Sequence, residues 1–326
     1  MAKPKVFVTR GIYDEGLDLL KEKCEVEVWP GELPPSREIL LDKVKDVEGL
    51  LCLLTEKVNA ELFDAAPKLK VVANLAVGFD NCDIAEATKR GIPVGNTPGV
   101  LTETTADFAF ALLMSAARRV CEGDSYTRSG QWKTWGPKIL CGQDIHHATL
   151  GLVGLGRIGA EMAKRGKGFD MKVMYYDMYR REDLEKSMGL VYADMDTVIK
   201  EADFLSVHVP LTPETKHLIN ADRLKTMKKT AILVNSARGP IVDTLALAEA
   251  LKAGTIAGAA LDVTDPEPIN MDNPLLSAPN CIIAPHIASG SIATRTKMSV
   301  IAAQNILGGL GFGTMPAPVN PEVLKK

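Results

Sequence analysis

Short apolar runs alternate with amphipathic segments along the first hundred residues of the chain. The runs at 5–9, 25–29, 49–54, 69–77 and 92–96 predict strands, and the segments between them have apolar residues at helical spacing. Strands that alternate with helices form parallel sheets covered by helices on both faces. The pattern therefore predicts a first α/β unit with a parallel sheet.

A second series of the same kind follows a long helical segment at 102–120. Its predicted strands are residues 148–154, 172–177, 189–193, 202–210, 230–238, 256–263 and 281–286. A last helical stretch at 295–310 remains after this second sheet is complete. We predict that it packs back on the first unit and makes that unit discontinuous, with two crossings that form a hinge. The fold class is then α/β with two Rossmann-like or flavodoxin-like parallel-sheet domains.

The sequence GLGRIG at 154–159 lies between the first strand and the first helix of the second series. Glycines at this spacing are typical of a turn that binds a dinucleotide. Gly154 would permit the turn, Gly156 would let the backbone approach the pyrophosphate, and Gly159 would let the helix pack close to the sheet. The amide groups that would hold the phosphates are those of Leu155, Arg157 and Ile158.

Asp177 ends the next predicted strand, 18 residues after Gly159. At this spacing a carboxylate reaches the ribose hydroxyls of a bound dinucleotide. The alternatives are a plain strand-to-helix turn for the glycines and a solvated strand-end acid for Asp177. Because the features occur together, we predict that residues 100–288 form a dinucleotide-binding domain. Residues 1–99 and 289–326 then form the substrate (catalytic) domain into which it is inserted.

Charge and cysteine usage narrow the class of partner. The 326 residues include 38 Lys and Arg against 41 Asp and Glu, and no basic stripe, so nucleic acid is not an expected partner. The N-terminus has no apolar segment after its lysines, and the longest apolar stretch, within 108–117, is too short to span a bilayer. Six scattered cysteines without a C-x-x-C pair, and histidines without metal spacing, indicate reduced thiols and no metal site. We therefore expect a cytoplasmic protein without membrane contact.

Three further motifs lie in the second half of the chain: LVNSARGPIVD at 233–243, ALDVTDPEP at 260–268 and IIAPHIAS at 282–289. With them the chain resembles the D-isomer-specific 2-hydroxyacid dehydrogenases over essentially its whole length. Within that family QWKTWGP and GQDIHHATLGLVGLGRIG are most similar to the glyoxylate/hydroxypyruvate reductases. The resemblance implies reduction of a small 2-oxo acid, glyoxylate or hydroxypyruvate, to the 2-hydroxy acid (the D-isomer where chiral) by NAD(P)H.

The resemblance implies a catalytic set of Arg238, Glu267 and His286, and the chemistry of these side chains suits the reaction. Arg238 offers a planar cationic fork to the carboxylate and carbonyl oxygen of a 2-oxo acid. Histidine is the side chain whose ordinary pKa lies nearest neutrality, so His286 suits proton donation. Glu267 would accept from the other ring nitrogen, fix the tautomer and favour the protonated ring. Taken singly, they read as a surface charge, a turn cap and a packed core histidine.

Other positions take their roles from the resemblance alone. The substrate residues besides Arg238 and His286 are Leu53, the backbone N–H groups of Val77 and Gly78, and Trp135 of the partner subunit. The further cofactor residues are Thr104, Pro210, Thr215, Ala237 and Asp262, the last accepting from the nicotinamide amide. The alternative interpretations are a core leucine, a strand-end turn, a helix cap and plain loops.

Cofactor choice and assembly are the remaining expectations. Asp177 favours NADH over NADPH, while Arg180 and Arg181 follow it closely and leave NADPH possible. The segment from 102 to 130 is apolar on much of its surface and leads into Trp132 and Trp135. Together with the dimers of similar proteins, this predicts a homodimer; intrachain packing of both tryptophans is the alternative.

Two other functions stay open on the sequence. One is a dehydrogenase of the same family that acts on D-lactate or D-3-phosphoglycerate. The other is an NAD-sensing binding protein like the C-terminal binding protein co-repressors, which share the fold and the Arg/Glu/His set. Those co-repressors usually have long disordered tails, and this chain has almost none.

Overall fold

The computed structural model describes residues 2–325 of the chain. The strands are β1 Lys5–Val8, β2 Glu25–Val28, β3 Gly49–Cys52, β4 Val71–Asn74, β5 Val94–Gly95, β6 Thr149–Val153, β7 Lys172–Tyr176, β8 Val191–Tyr192, β9 Phe204–Val207, β10 Ile232–Asn235, β11 Gly258–Leu261 and β12 Cys281–Ile283. The α-helices are α1 Asp14–Lys23, α2 Arg37–Lys43, α3 Ala60–Ala65, α4 Ile84–Lys89, α5 Thr102–Ala117, α6 Val120–Arg128, α7 Arg157–Gly168, α8 Glu182–Met188, α9 Met195–Glu201, α10 Ala221–Thr226, α11 Thr244–Lys252 and α12 Ile292–Gly309. Short 3₁₀ helices occupy Val44–Asp46, Gly239–Ile241, Pro274–Ser277 and Pro321–Lys325.

The chain forms two compact units. One contains everything up to Leu101 and everything from Gly290 on, and the other runs from Thr102 to Ser289. The first unit has a five-stranded sheet in the order β2-β1-β3-β4-β5, and the second a seven-stranded sheet in the order β12-β11-β10-β9-β6-β7-β8. Every strand pair in both sheets is parallel. The predicted α/β class with two parallel sheets is confirmed.

Side chains of the second sheet alternate between two apolar cores. Phe204 and Ile232 face the core that contains α5 and α7, whereas Leu205 and Leu233 on the same strands face the core that contains α9 and α11. Successive residues of a strand point to opposite faces. Strands that are apolar at every position are therefore buried on both sides, as parallel sheets are.

The last long helix belongs to the first unit. Helix α12 packs against α1 and β4. A Cβ atom built on Gly16 would lie 2.6 Å from the carbonyl oxygen of Ser299, so the glycine permits the close approach of the two helices. The side chains of Met298, Ala302 and Ile306 on α12 are buried. Their apolar surface explains why the C-terminal segment returns to the first sheet.

The helix predicted at 102–120 is two helices in the structure. Helix α5 ends at Ala117, and α6 starts after Arg119, whose φ of +55° lies in the left-handed region. The Ala117 carbonyl accepts a hydrogen bond from the amide of Gln143 instead of a helical N–H. A distant segment thus ends the helix, which local spacing does not reveal. None of the helices within residues 2–325 is long and apolar enough to cross a membrane.

Candidate functional site

The three motif glycines of the second unit have distinct surroundings. Gly154 has a φ of +97°, and a Cβ there would lie 2.8 Å from the backbone of His208. A Cβ on Gly159 would lie 2.3 Å from the carbonyl oxygen of Gly154, so α7 passes directly over the turn. Gly156 has open space around its built Cβ position, and no side chain caps α7. The turn therefore leaves room for a ligand at Gly156 beside the uncapped amides of the first helical turn, which include those of Arg157 and Ile158.

His208 lies beneath the glycine turn. Its Nε2 is 2.9 Å from the hydroxyl oxygen of Ser206, and its backbone amide donates to the carbonyl of Val153. Burial lowers the pKa of His208 to about 4. The imidazole next to the turn is thus neutral at pH 7 and adds no charge to a phosphate site.

Asp177 follows β7 and is anchored to the glycine turn. One carboxylate oxygen accepts from the amide of Leu155 at 2.7 Å, and the other accepts from the amide of Tyr179 at 2.9 Å. The Leu155 amide, which the sequence assigned to the phosphates, is therefore engaged by Asp177. Because a carboxylate oxygen can accept more than one hydrogen bond, Asp177 keeps acceptor capacity for ribose hydroxyls.

Both arginines after Asp177 form two-pronged ion pairs with nearby acids. Arg180 contacts Glu185 through Nε and Nη2 at 2.9 Å each, and Arg181 contacts Asp183 through the same atoms at 2.9 and 2.8 Å. The Nη1 atom of Arg181 also lies 3.5 Å from the carbonyl oxygen of Leu155. Of the two, Arg181 is the arginine that touches the glycine turn.

The predicted catalytic residues follow three neighbouring strands. Arg238 comes after β10, Glu267 after β11 and His286 after β12, and these strands are adjacent in the sheet. Carboxyl ends of parallel strands meet at one edge, which is where ligands bind in open α/β sheets. The fold therefore gathers residues that are 29 and 19 positions apart in the sequence.

The turn that carries Arg238 is held by a buried asparagine. Asn235 donates from Nδ2 to the Arg238 carbonyl at 2.9 Å, and its Oδ1 accepts from the Ala237 amide at 3.0 Å. A Cβ on Gly239 would lie 1.9 Å from the carbonyl oxygen of Thr264, in the loop that leads to Glu267. Only glycine permits this approach, which brings the arginine turn against the glutamate loop.

Glu267 and His286 form a hydrogen-bonded pair. The Glu267 Oε1 atom contacts His286 Nδ1 at short range, with side chains that are 32% and 24% exposed respectively. Burial acts to raise the pKa of Glu267, but the hydrogen bond and charge of His286, aided by the charge of Arg238, outweigh it and leave the pKa lowered. The carboxylate thus stays ionised, orients the ring and leaves Nε2 as the nitrogen turned away from the pair.

Asp262 anchors the segment that carries the histidine. Its two carboxylate oxygens accept from the amides of Ile287 and Ala288 at 2.8 and 2.7 Å, and its backbone carbonyl accepts from the His286 amide at 2.9 Å. Burial raises the pKa of Asp262, against the opposing effect of these amides and of the His286 charge. The residue is 1% exposed. Its contact with a nicotinamide amide stays a prediction beside this anchoring role.

The other predicted cofactor residues of the second unit lie on loops and on one helix. Thr215 ties its loop together by donating from Oγ1 to the Pro210 carbonyl at 2.7 Å. Ala237 lies in the arginine turn, and Thr104 is half-buried in the first turn of α5. Trp135 lies between α6 and β6 and is 78% exposed.

The predicted substrate residues of the first unit follow β3 and β4. The Leu53 amide donates to Glu56 Oε2 at 2.7 Å, and the Leu53 carbonyl accepts from Asn81 Nδ2 at 3.1 Å. Val77 and Gly78 form a half-buried turn after β4. Leu53 is thus held in place by polar side chains of the same unit.

Buried asparagines at strand ends are the site-supporting residues that sequence reasoning missed. Asn74 ends β4, Asn96 follows β5 and Asn235 ends β10, each after a run of apolar residues. An amide that terminates an apolar strand is the available signal, because a buried amide is costly unless it forms hydrogen bonds.

A glycine turn on a parallel sheet, with an arginine and a glutamate–histidine pair at neighbouring strand ends, defines an oxidoreductase of the nicotinamide-dependent dehydrogenase class. The model of the "D-isomer specific 2-hydroxyacid dehydrogenase, NAD binding domain" matches residues 110–288. The chain belongs to the D-isomer specific 2-hydroxyacid dehydrogenase family, which confirms the resemblance seen in the sequence.

Three relatives illustrate the similarity. The chain is 54% identical over 324 residues to the glyoxylate reductase of Korarchaeum cryptofilum, covering 99% of this chain and 98% of that one. It matches the crystal structure of the TT0316 protein from Thermus thermophilus with a TM-score of 0.92 and 46% identity, over 97% and 99% of the chains. It matches the NADPH-dependent glyoxylate/hydroxypyruvate reductase of Sinorhizobium meliloti, solved with NADP and malonate, with a TM-score of 0.83 and 35% identity, over 98% and 97%.

Proposed function

We propose that the protein reduces a small 2-oxo acid, glyoxylate or hydroxypyruvate, with NAD(P)H. The observation that carries the proposal is the contact of His286 Nδ1 with the Glu267 carboxylate, beside the turn that bears Arg238. A histidine oriented in this way suits proton transfer at its other nitrogen. The names of the glyoxylate reductase relatives support the substrate class.

The residues around the glycine turn fit a dinucleotide. Gly156 is open, α7 is uncapped, and the Asp177 carboxylate is fixed next to the turn. We assign the pyrophosphate to Gly154, Gly156, Gly159 and the helix amides, and the ribose to Asp177. When bound, the nicotinamide supplies the hydride for the substrate carbonyl carbon. Residues 102–289 thus serve as the dinucleotide-binding domain in this proposal.

Side chains of the protein bind the negative charge of the substrate and transfer the proton to its oxygen. Arg238 binds the substrate carboxylate and carbonyl oxygen, and it stabilises negative charge that develops on that oxygen during reduction. His286 donates a proton from Nε2 to the oxygen, while Glu267 holds Nδ1–H and balances the imidazolium charge. In the reverse direction the neutral ring takes the hydroxyl proton. From the resemblance we also assign Leu53 and the amides of Val77 and Gly78, in the first unit, to the substrate.

A nicotinamide absorbance assay with glyoxylate and hydroxypyruvate tests this function. We expect both acids to cause consumption of NADH or NADPH, measured as a fall in nicotinamide absorbance. We expect a lower kcat/KM with pyruvate and with phosphohydroxypyruvate. A faster rate with pyruvate or phosphohydroxypyruvate would reassign the substrate within the family. Cofactor binding without turnover of any 2-oxo acid would favour an NAD-sensing binding protein.

Cofactor preference gives a prediction centred on Asp177. Two unit charges about 4 Å apart at an effective dielectric near 20 repel by roughly 4 kcal/mol. Screening and side-chain movement reduce the repulsion of a 2′-phosphate to about 2–3 kcal/mol, or roughly 30–150-fold. We therefore expect wild-type kcat/KM to be higher with NADH, and Asp177→Ser to narrow or invert the ratio, because Arg180 and Arg181 remain.

The measurement is kcat/KM with each cofactor for both proteins. The Asp222 side chain is 90% exposed and lies near Lys225. Asp222→Ser is therefore the matched control and should leave the ratio of the two kcat/KM values unchanged. A wild-type preference for NADPH would contradict the assignment of Asp177 to the ribose, or would show that Arg181 outweighs it.

We also propose a homodimer formed through the segment from α5 to β6. Helix α6 has no buried residue, and Val120, Trp132 and Trp135 are exposed in the single chain. Exposed aromatic side chains that cluster in one segment are typical of a covered interface. Trp135 would then lie near the partner subunit's substrate site.

Sedimentation velocity at micromolar concentration checks the assembly. One subunit has a mass of 35.1 kDa, and we expect a single species at twice that value. Trp135→Ser should keep the dimer, since Trp132 and Val120 remain, but raise KM for the 2-oxo acid. A monomer throughout the concentration range would reject the dimer.

The six free thiols support our placement of the enzyme in the reducing cytoplasm.

A further inference from the structure

The turn after β4 has three consecutive carbonyl groups tied to other parts of the first unit. The Ala76 carbonyl accepts from the Thr97 amide at 2.8 Å. The Val77 carbonyl accepts from Asn96 Nδ2 at 2.8 Å, and the Gly78 carbonyl accepts from Asn74 Nδ2 at 2.9 Å. Two of the three donors are therefore asparagine side chains.

These bonds fix the direction of the amide hydrogens. In a trans peptide unit the C=O and the following N–H point in opposite directions. The carbonyls of Ala76 and Val77 both point toward the 96–97 segment, so the N–H groups of Val77 and Gly78 point away from it. Across residues 2–325, no group accepts a hydrogen bond from either of these two amides. The turn thus presents two half-buried donors side by side.

The asparagines are themselves held by buried polar contacts. Asn74 is 0% exposed and Asn96 is 9% exposed. Asn74 Nδ2 also contacts Asn81 Oδ1 at 3.1 Å, and the Asn96 carbonyl accepts from Asn305 Nδ2 of α12 at 2.8 Å. A buried amide whose hydrogen bonds are satisfied specifies one backbone geometry. The network therefore holds the turn rigidly rather than merely filling space.

We propose that Asn96 is a positioning residue that aims the N–H group of Gly78, beside that of Val77, at the carboxylate of the 2-oxo acid, while Asn74 anchors the next peptide unit of the turn. This rests on the proposed function, because it takes the turn to be the carboxylate site. Without the Asn96 side chain, the Val77–Gly78 peptide unit loses the hydrogen bond that fixes the direction of the Gly78 N–H. Pre-organised donors bind an anion without a further loss of conformational entropy on binding.

Kinetics of Asn96→Ala provide the first test. We expect KM for glyoxylate to rise on the order of tenfold, since a hydrogen bond to a charged group is worth about that factor or more. The Kd for NADH, measured by fluorescence, should stay the same. Asn320→Ala is the matched control: Asn320 is also buried in the same unit and binds the Val94 amide and the Ile92 carbonyl, away from the turn. It should lower Tm and leave KM unchanged.

A direct view of the amide comes from selective labelling. The sequence contains three Val–Gly pairs, at Gly78, Gly95 and Gly154. With carbonyl-labelled valine and ¹⁵N-glycine, only these three amides give signals in an NMR experiment that correlates the labelled carbonyl with the nitrogen bonded to it. In enzyme saturated with NADH, we expect oxamate, an unreactive 2-oxo acid analogue, to shift the Gly78 signal and to leave the other two in place. Asn96→Ala should need on the order of tenfold more oxamate.

Each possible result of these experiments supports or contradicts the positioning role. If wild type turns over glyoxylate but Asn96→Ala matches Asn320→Ala in KM, the positioning role is wrong while the proposed function stands. If Gly78 does not respond to saturating oxamate, the turn is not the carboxylate site. If wild type reduces no 2-oxo acid, the proposed function fails and this inference fails with it. Asn96→Ser, too short to reach the Val77 carbonyl, replaces the alanine variant if that one does not fold.

Discussion

Replacing His286 with alanine is expected to reduce kcat by about 10²- to 10⁴-fold, the range for loss of a general acid. The contact with Glu267 orients the ring, so replacing His286 removes the proposed proton donor to the substrate oxygen. Binding of NADH should survive, because the glycine turn and Asp177 belong to other parts of the second unit. Stopped-flow or steady-state absorbance gives kcat, and fluorescence titration gives the Kd for NADH.

The backbone conformation at His286 makes a second substitution necessary beside the alanine variant. His286 has a φ of +56°, in the left-handed region, which alanine adopts poorly and asparagine adopts well. His286→Asn therefore removes the acid with less strain, and both variants should lose similar kcat if chemistry is the cause. His146→Ala, at an exposed histidine, should match wild type. A kcat near wild type in His286→Asn would remove this residue from the mechanism.

Arg238→Lys is expected to lower kcat/KM for the 2-oxo acid by roughly 10²- to 10³-fold, the scale for losing one donor to a developing oxyanion. Lysine keeps the charge but lacks the planar fork that binds two oxygens at once. We expect both KM and kcat to be affected, since the same group would bind the carboxylate and stabilise the transition state.

A matched arginine-to-lysine change separates this effect from general destabilisation. Arg223 lies in the same unit, where its Nη1 donates to the Leu218 carbonyl at 2.6 Å and its Nε lies 3.5 Å from Asp196. Arg223→Lys should lower Tm slightly and leave kcat/KM unchanged. Unaltered kinetics in Arg238→Lys would mean that another group binds the substrate carboxylate.

The alternation of apolar runs was sufficient to predict both parallel sheets. Every predicted strand contains an observed one. Most of these strands are buried on both faces and are therefore apolar along their length, whereas the edge strands β2 and β8 have no buried residue. The strands are shorter than the runs, however. The run at 69–77 becomes a strand only over Val71–Asn74, since Asn74 turns its side chain to the carbonyl of Gly78 and the chain leaves the sheet.

Part of the candidate site could also be predicted from the sequence. Glycine spacing and the order of arginine, glutamate and histidine are local signals, and the structure brings the last two into contact. The partner of Asp177 was not readable, because the Leu155 amide reaches it only when β6 and β7 lie side by side. The same holds for the Asp262 carboxylate, which accepts from amides 25 and 26 residues away.

The sequence by itself determined the class of fold, the glycine turn and the candidates for the reacting side chains, since these depend on residue type and spacing along one segment. Only the tertiary structure decided where α5 ends, which carbonyls the buried asparagines hold and which amides remain available to a ligand. Ala117 meets Gln143, and Asn305 meets Asn96 across 209 residues of chain. Such contacts form when distant segments pack together, and a hydrogen bond between them leaves no period in the sequence that connects them.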